Sequence, residues 1–287
     1  MTARLATHPD VAARTAEVLE RLRAAGVDVE FAGSAGEGTS SVTAAVGDDP
    51  LRALRAGTVD LALVGIGALR GRAVEDLTTV AVLPREEVRD VLVALGGESE
   101  PLHDLPAGAR VGLVGARRAA FLLAHRPDLE PVPLHEAPVG GDMDDSDLHA
   151  IVVSALEARR AGLVDATVEA LDVKAWLPEP GQGILALVAR HPIAEATALD
   201  HLPTRTALRT ELALLDALEV GGDTTLGCVA QPSGRWIRLW AAAPSRDGRR
   251  LVRSDRTGPL DEPEALGADV AREMRSRGYG LVTAAAR

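Results

Sequence analysis

The stretch from Ala109 to Pro127, ARVGLVGARRAAFLLAHRP, changes periodicity in its middle. ARVGLVG is a short apolar run of strand length, and ARRAAFLLAHRP places its apolar residues at helical spacing before a proline ends it. Gly115 marks the junction, and Arg117 and Arg118 fall on the first turn of the helix. HAIVVSA (149–155) followed by LEARRAG (156–162) repeats the pattern, again with an arginine pair, Arg159 and Arg160. Strands that feed helices in this way predict α/β layers with mostly parallel sheets.

Working outward, ARLATH (3–8) is a strand, DVAARTAEVLERLRAAG (10–26) a helix closed by Gly26, and VDVEFAG (27–33) the next strand. A helix follows in PLRALRAGT (50–58), then strands in VDLALVGIG (59–67), TTVAVLP (78–84) and DVLVALG (90–96). The last part of the chain differs. A long helix, TRTALRTELALLDALE (204–219), precedes a Gly-Thr loop, and then come strands LGCVAQP, WIRLWAAAP and RRLVRSDR and a helix near PEALGADVAREMRSRG. That order predicts an α+β module with an antiparallel sheet.

The 287 residues are 46% hydrophobic, enough for a sizeable core divided among two or three subdomains. A single cysteine, Cys228, excludes an internal disulfide and fits a reducing compartment. No apolar run approaches the roughly 18 residues that span a bilayer. The start, MTARLATHPDVAARTAEVLE, lacks a basic region followed by an apolar one. These features predict a cytoplasmic protein. A net charge of −11 argues against nucleic-acid or membrane partners, while local basic clusters can still hold a small anion. Lys174 is the one lysine beside thirty arginines. No metal is expected, and the chain is expected to be a monomer.

Three pieces can carry chemistry. Arg117 and Arg118 stand where backbone N–H groups and the helix dipole favour an anion, against the plainer reading of a solvated helix start. Arg160 has the same reading, with a stronger case for a plain surface role because it lies deeper in its helix. In PEPGQGILAL, Gly181 and Gly183 flank Gln182 in a turn that lets backbone approach a neighbour or a ligand closely.

Taken together, LPAGARVGLVGARRAAFLLAHRPDL (105–129), AWLPEPGQGILALVAR (175–190) and LLDALEVGGDTTLGCVA (214–230) resemble the porphobilinogen deaminase, or hydroxymethylbilane synthase, family. Weaker matches in RLATHPDVA, VDLALVGIGALRG, LPREEVRDVLVA and AIVVSALEARRAGL follow the same order, so the resemblance covers nearly the whole chain. It implies two periplasmic-binding-protein-like α/β domains around a cleft plus a C-terminal α+β domain. Residues 1–87 and 181–203 would form a discontinuous first domain, 88–180 the second and 204–287 the third.

The resemblance also implies a chemistry, from which this chain departs. The family extends a dipyrromethane primer held by thioether to a cysteine in a Gly-Gly-Cys loop, and Gly222 stands at that position here. Cys228 lies six residues on, about 20 Å along an extended chain, and reads as a buried strand residue. Ala68 stands at the position of the family's catalytic aspartate and Gly67 at the preceding lysine. His8 and His135 replace arginines that bind substrate carboxylates, and an imidazole cannot make a guanidinium's bidentate clamp. The family's mobile lid corresponds here to SVTAAVGDD (41–49).

The expectation is therefore a diverged relative with no dipyrromethane cofactor. It would bind a carboxylated pyrrole or similar acidic ligand in the interdomain cleft. Arg117 and Arg118 would form the anion site, Arg160 would face them across the cleft, and Gln182, His8 and His135 would line it. Catalysis is left open. The alternatives are a working hydroxymethylbilane synthase in which Asp10, Glu37 or Asp142 substitutes for the lost groups, and a non-catalytic binding or regulatory paralogue. A periplasmic-type solute receptor would share the domain fold but need an export signal.

Overall fold

The computed structural model describes residues 2–34, 49–69, 76–95, 100–135, 147–221 and 224–283. The chain divides into two compact units, one of Met1–Glu86 with Gln182–Arg205 and one of Glu87–Gly181 with Thr206–Arg287.

The first unit is built on five strands, β1 (Ala3–Thr7), β2 (Val29–Ser34), β3 (Leu61–Gly65), β4 (Thr78–Val82) and β10 (Leu185–Ala189), in the order β2-β1-β3-β10-β4. β1 runs parallel to both β2 and β3, whereas β10 runs antiparallel to β3 and β4. The central strands are apolar throughout, as strands covered on both faces must be, and their core includes Leu5, Leu61, Leu63 and Leu187. The helix expected from Asp10 opens as a 3-10 turn, Pro9–Arg14, and becomes α1 only at Thr15–Ala24. α2 (Pro50–Arg55) starts where expected, with Asp49 accepting from Leu51 N and Pro50 in the first turn.

The second unit repeats the plan with β5 (Asp90–Ala94), β6 (Arg110–Val114), β7 (Glu130–Leu134), β8 (Ala150–Ser154) and β9 (Thr167–Ala170), in the order β7-β6-β8-β5-β9. β6 is parallel to β7 and β8, and β5 is antiparallel to β8 and β9. Each sheet therefore carries one reversed strand, so the parallel character is weaker than the sequence predicts. β7, EPVPL, was not legible as a strand. It lies at a sheet edge, and its prolines at alternate positions keep their missing N–H groups on one side, which an edge tolerates. α3 (Ala116–His125) follows β6 and α4 (Ala155–Arg160) follows β8.

The C-terminal module belongs to this second unit. α5 (Leu202–Leu218), in which the division between the units falls, leads to β11 (Gly227–Ser233), β12 (Trp236–Pro244) and β13 (Leu251–Pro259), a three-stranded antiparallel sheet. α6 (Pro263–Ser276) and α7 (Tyr279–Thr283) complete it. β12 alternates, with Ile237, Leu239 and Ala241 facing the core formed with Leu214, Val270 and Met274. On the other face, Val229 and Ala242 enter the core that holds Phe121, Trp176 and Leu177. One sheet thus serves two cores within the second unit. Gly227 sits at the seam, where an added Cβ would lie 2.5 Å from the Leu177 carbonyl oxygen.

Glu211, on α5, is fully buried, and its carboxylate clamps two separate backbones. Oε1 accepts from Ala230 N and Oε2 from Gly181 N, both at 2.7 Å. Glu211→Ala would leave both buried N–H groups without this acceptor, at about 1–3 kcal/mol each. We expect a lowered urea midpoint with an unchanged m-value. A wild-type midpoint would show that the clamp contributes nothing.

Candidate functional site

Each α/β sheet gathers its candidate residues at the C-terminal ends of its parallel strands, where ligands of such sheets bind. In the first unit His8 follows β1, its backbone N–H donating to Leu63 O, and Gly67 and Ala68 lie in the 3-10 turn that ends β3. The Gly-Gln-Gly turn arrives at the same end because β10 runs antiparallel from it. Ile66 N donates to Ile184 O and Glu86 N to Gly183 O, while Arg85 Nε donates to the Gln182 carbonyl at 3.0 Å. Ala68 presents only a methyl group there. Asp10 lies in the neighbouring 3-10 turn. Gly222, Glu37, Asp142 and positions 41–48 lie outside the described residues.

In the second unit Arg117 and Arg118 stand in the first turn of α3, and Arg160 ends α4. β6 feeds α3, its parallel neighbour β8 feeds α4, and His135, exposed, follows β7 at the same end. Arg160 therefore does not face Arg117 and Arg118 from another domain. It is exposed, three residues after Glu157, which itself pairs with Arg118. The expectation of a partner across a cleft is corrected on that point.

The centre of this neighbourhood is a residue the sequence reading passed over. Asp90 opens β5, opposite Ser154 in the antiparallel register, so its carboxylate lies where α3 and α4 begin. It is 1% exposed. Arg117 Nη2 donates to it at 2.6 Å, Arg118 Nη2 at 3.2 Å and Trp176 Nε1 at 3.0 Å. Arg117 Nη1 also donates to Leu177 O at 2.7 Å, and Arg118 Nη2 to Glu157 Oε2 at 2.7 Å. Glu157 in turn completes the capping box of α4, accepting from Ser154 N while Ser154 Oγ accepts from Glu157 N.

Burial pushes the Asp90 carboxyl pKa upward, but the charges and hydrogen bonds of Arg117 and Arg118 outweigh it and hold it well below the usual carboxylate range. Burial likewise works against the charge on Arg118, and Asp90 and Glu157 outweigh it, so its pKa is raised.

The structure divides the arginine pair. Arg117 is 7% exposed and committed to Asp90 and a carbonyl. Arg118 is 6% exposed, yet its Nε is buried with no hydrogen-bond partner among the described residues. Beside it α3 begins at Gly115, whose φ of 86° and ψ of 153° suit only glycine and leave the helix start without a side-chain cap. A Cβ at Gly115 would meet nothing within 4 Å. The same first turn thus combines a guanidinium N–H without a partner among the described residues and a helix start without a side-chain cap.

Cys228 meets the opposite environment. It is fully buried in β11, paired with Ala241 of β12, and its N–H donates to Pro178 O at 2.9 Å. The buried Cys228 therefore does not fit thioether attachment of a primer. Among the described residues no group of three or more His, Cys, Asp or Glu side chains is placed to hold a metal. No described helix is long and apolar enough to cross a membrane.

Removing the Asp90 charge leaves two buried guanidiniums with one carboxylate between them. Asp90→Asn should cost about 3–5 kcal/mol at neutral pH. Because the folded-state pKa of Asp90 is depressed, its contribution is fully present above the unfolded carboxylate value, near 4, and declines as pH falls through it. The gap between wild type and variant in urea unfolding should narrow from pH 7 to pH 3. An equal gap at both would mean that the carboxylate charge is not what stabilises the cluster.

Residues 49–198 match the family described as porphobilinogen deaminase, dipyromethane cofactor binding domain. This overturns the expectation of no dipyrromethane, since the matched domain is the one named for that cofactor. The chain is 36% identical over 240 residues to the porphobilinogen deaminase of Desulforudis audaxviator, covering 80% of this chain and 75% of the relative. It is 36% identical over 248 residues to that of Thermobifida fusca, with 81% and 77% covered. A YaeC-family lipoprotein from Enterococcus faecalis aligns in structure with a TM-score of 0.45 at 14% identity, covering 69% of this chain and 88% of that one. On the sequence matches, the chain belongs to the porphobilinogen deaminase family.

Proposed function

We propose that the chain serves tetrapyrrole metabolism by binding a dipyrromethane or related carboxylated pyrrole, held through its carboxylates and without a thioether. The observation that carries this is the buried, unpaired Nε of Arg118 beside the uncapped start of α3. Family membership supports the pyrrole, and the complete burial of the only thiol supports the absence of a covalent link.

In this reading Arg117 and Asp90 are struts. Arg117 fixes the loop at Leu177, and Asp90 holds both guanidiniums in place. Arg118 then offers one charge-assisted hydrogen bond to a ligand carboxylate, and the α3 backbone offers more. Arg160, at the end of α4, is exposed. The clamp is smaller than a set of free arginines would make, because Arg117, Arg118, Asp90 and Glu157 together are neutral. A bound dipyrromethane would supply the pyrrole to which further units attach, and this chain's described residues supply its recognition.

Arg118→Lys keeps a cation for Asp90 and Glu157 and removes the Nε donor. We expect porphobilinogen binding, read by calorimetry, to weaken about tenfold, equivalent to about 1.4 kcal/mol, while the chain stays folded. Equal affinity would remove Arg118 from the site. Mass spectrometry of protein isolated with its pyrrole should give the unmodified chain after denaturation and a complex under native conditions. An adduct that survives denaturation would overturn the non-covalent reading.

A further inference from the structure

We infer a second anion site, on the C-terminal module, that takes a small organic anion bearing two or more carboxylates. The site is an open pocket of about 530 Å³, within the size range of small-molecule sites, and lies wholly inside the second unit.

The sheet builds it by alternation. Arg238, Trp240 and Ala242 share the face of β12 opposite to Ile237 and Leu239, and the register places Asp255 across from Trp240 and Arg253 across from Ala242. The core that contains Phe121 covers Ala242 and Val229, and Trp240 packs at its margin. Beyond that margin the face is open, and it is charged. Lys174, on the loop before Trp176, closes one side.

The charges there do not cancel. Arg238 pairs with Asp255 at 2.5 Å, and Arg277 pairs with Glu273. Lys174 and Arg253 have no carboxylate partner among the described residues. The Lys174 ammonium rests 5.8 Å from the centre of the Trp240 ring, which Arg238 also approaches at 4.8 Å. Arg253 donates to the carbonyls of Lys174 and Ala175, at 3.0 and 3.1 Å, and so fixes the lysine's loop while keeping its charge. Two like charges are held in one pocket of a chain whose net charge is −11. A single carboxylate would leave one of them unpaired, whereas a compact dianion or trianion pairs both.

Because Lys174 is the only lysine, its acetylation by an amine-reactive ester can be followed by mass spectrometry, with the N-terminal amine as internal reference. In the unaltered protein, citrate at a few millimolar should slow Lys174 acetylation about threefold relative to sodium chloride at equal ionic strength. Arg253→Gln, which keeps an amide donor for the carbonyls, should return the rate to the salt control. Absence of protection in the unaltered protein would overturn the proposal. So would protection of equal size in Arg253→Gln, or equal protection by inorganic phosphate, which would mean a site for any compact anion.

Discussion

Asp90 is the group on which the second unit's site depends. It is a charged residue at the mouth of a strand, out of contact with water, and it accepts hydrogen bonds from two arginines on one helix and a tryptophan on a distant loop. Taking a carboxylate and two guanidiniums out of water costs several kcal/mol per ion, and attraction offsets it only if the geometry is good and other donors and acceptors are satisfied. Here those conditions are met by backbone. The Leu177 carbonyl takes Arg117, and the capping carboxylate of α4 takes Arg118. The start of α3, the start of α4 and the 171–177 loop are thereby tied to one point.

Glu211 plays a comparable part at the other seam of the same unit. One carboxylate binds the N–H at the start of the Gly-Gln-Gly turn and the N–H of a strand in the C-terminal sheet, so the turn's position depends on α5. The turn's far side is fixed separately, with Gly183 O accepting from Glu86 N. The division between the units runs between Gly181 and Gln182, within this turn. Sequence suggested a turn for close approach, and the close approach is to the protein's own backbone and side chains.

The strand-to-helix repeats were legible because periodicity changes sharply at Gly115 and again at Ser154, and the C-terminal sheet was legible from its three evenly spaced runs. The reversed strands β5 and β10 were not, since a fully apolar pentapeptide such as LALVA has no mark of direction. The arginine pair was found, but its environment was not, because Asp90 lies 27 residues before Arg117 and nothing local couples them. Two signals were present. A charged residue opening the apolar run DVLVA asks for a buried partner, and SALE is the spacing of a capping box, which places Glu157 beside whatever lies at the start of α4.

Apolar replacement of buried ion pairs is often neutral or stabilising, but an apolar trio in place of Asp90, Arg117 and Arg118 would take their partners from Trp176 Nε1, Leu177 O and Glu157. What such a trio lacks is a fixed donor. In the observed cluster both Nη2 atoms of the arginine pair are spent on carboxylates, so the planes of the guanidiniums are set before any ligand arrives, and Arg118 Nε is left aimed by its neighbours' bonds. A buried N–H without an acceptor costs about 1–3 kcal/mol. The same accounting separates Arg118 from Cys228. The arginine carries an unmet bonding capacity at the start of a helix, while the thiol sits among apolar side chains in a completed strand pairing.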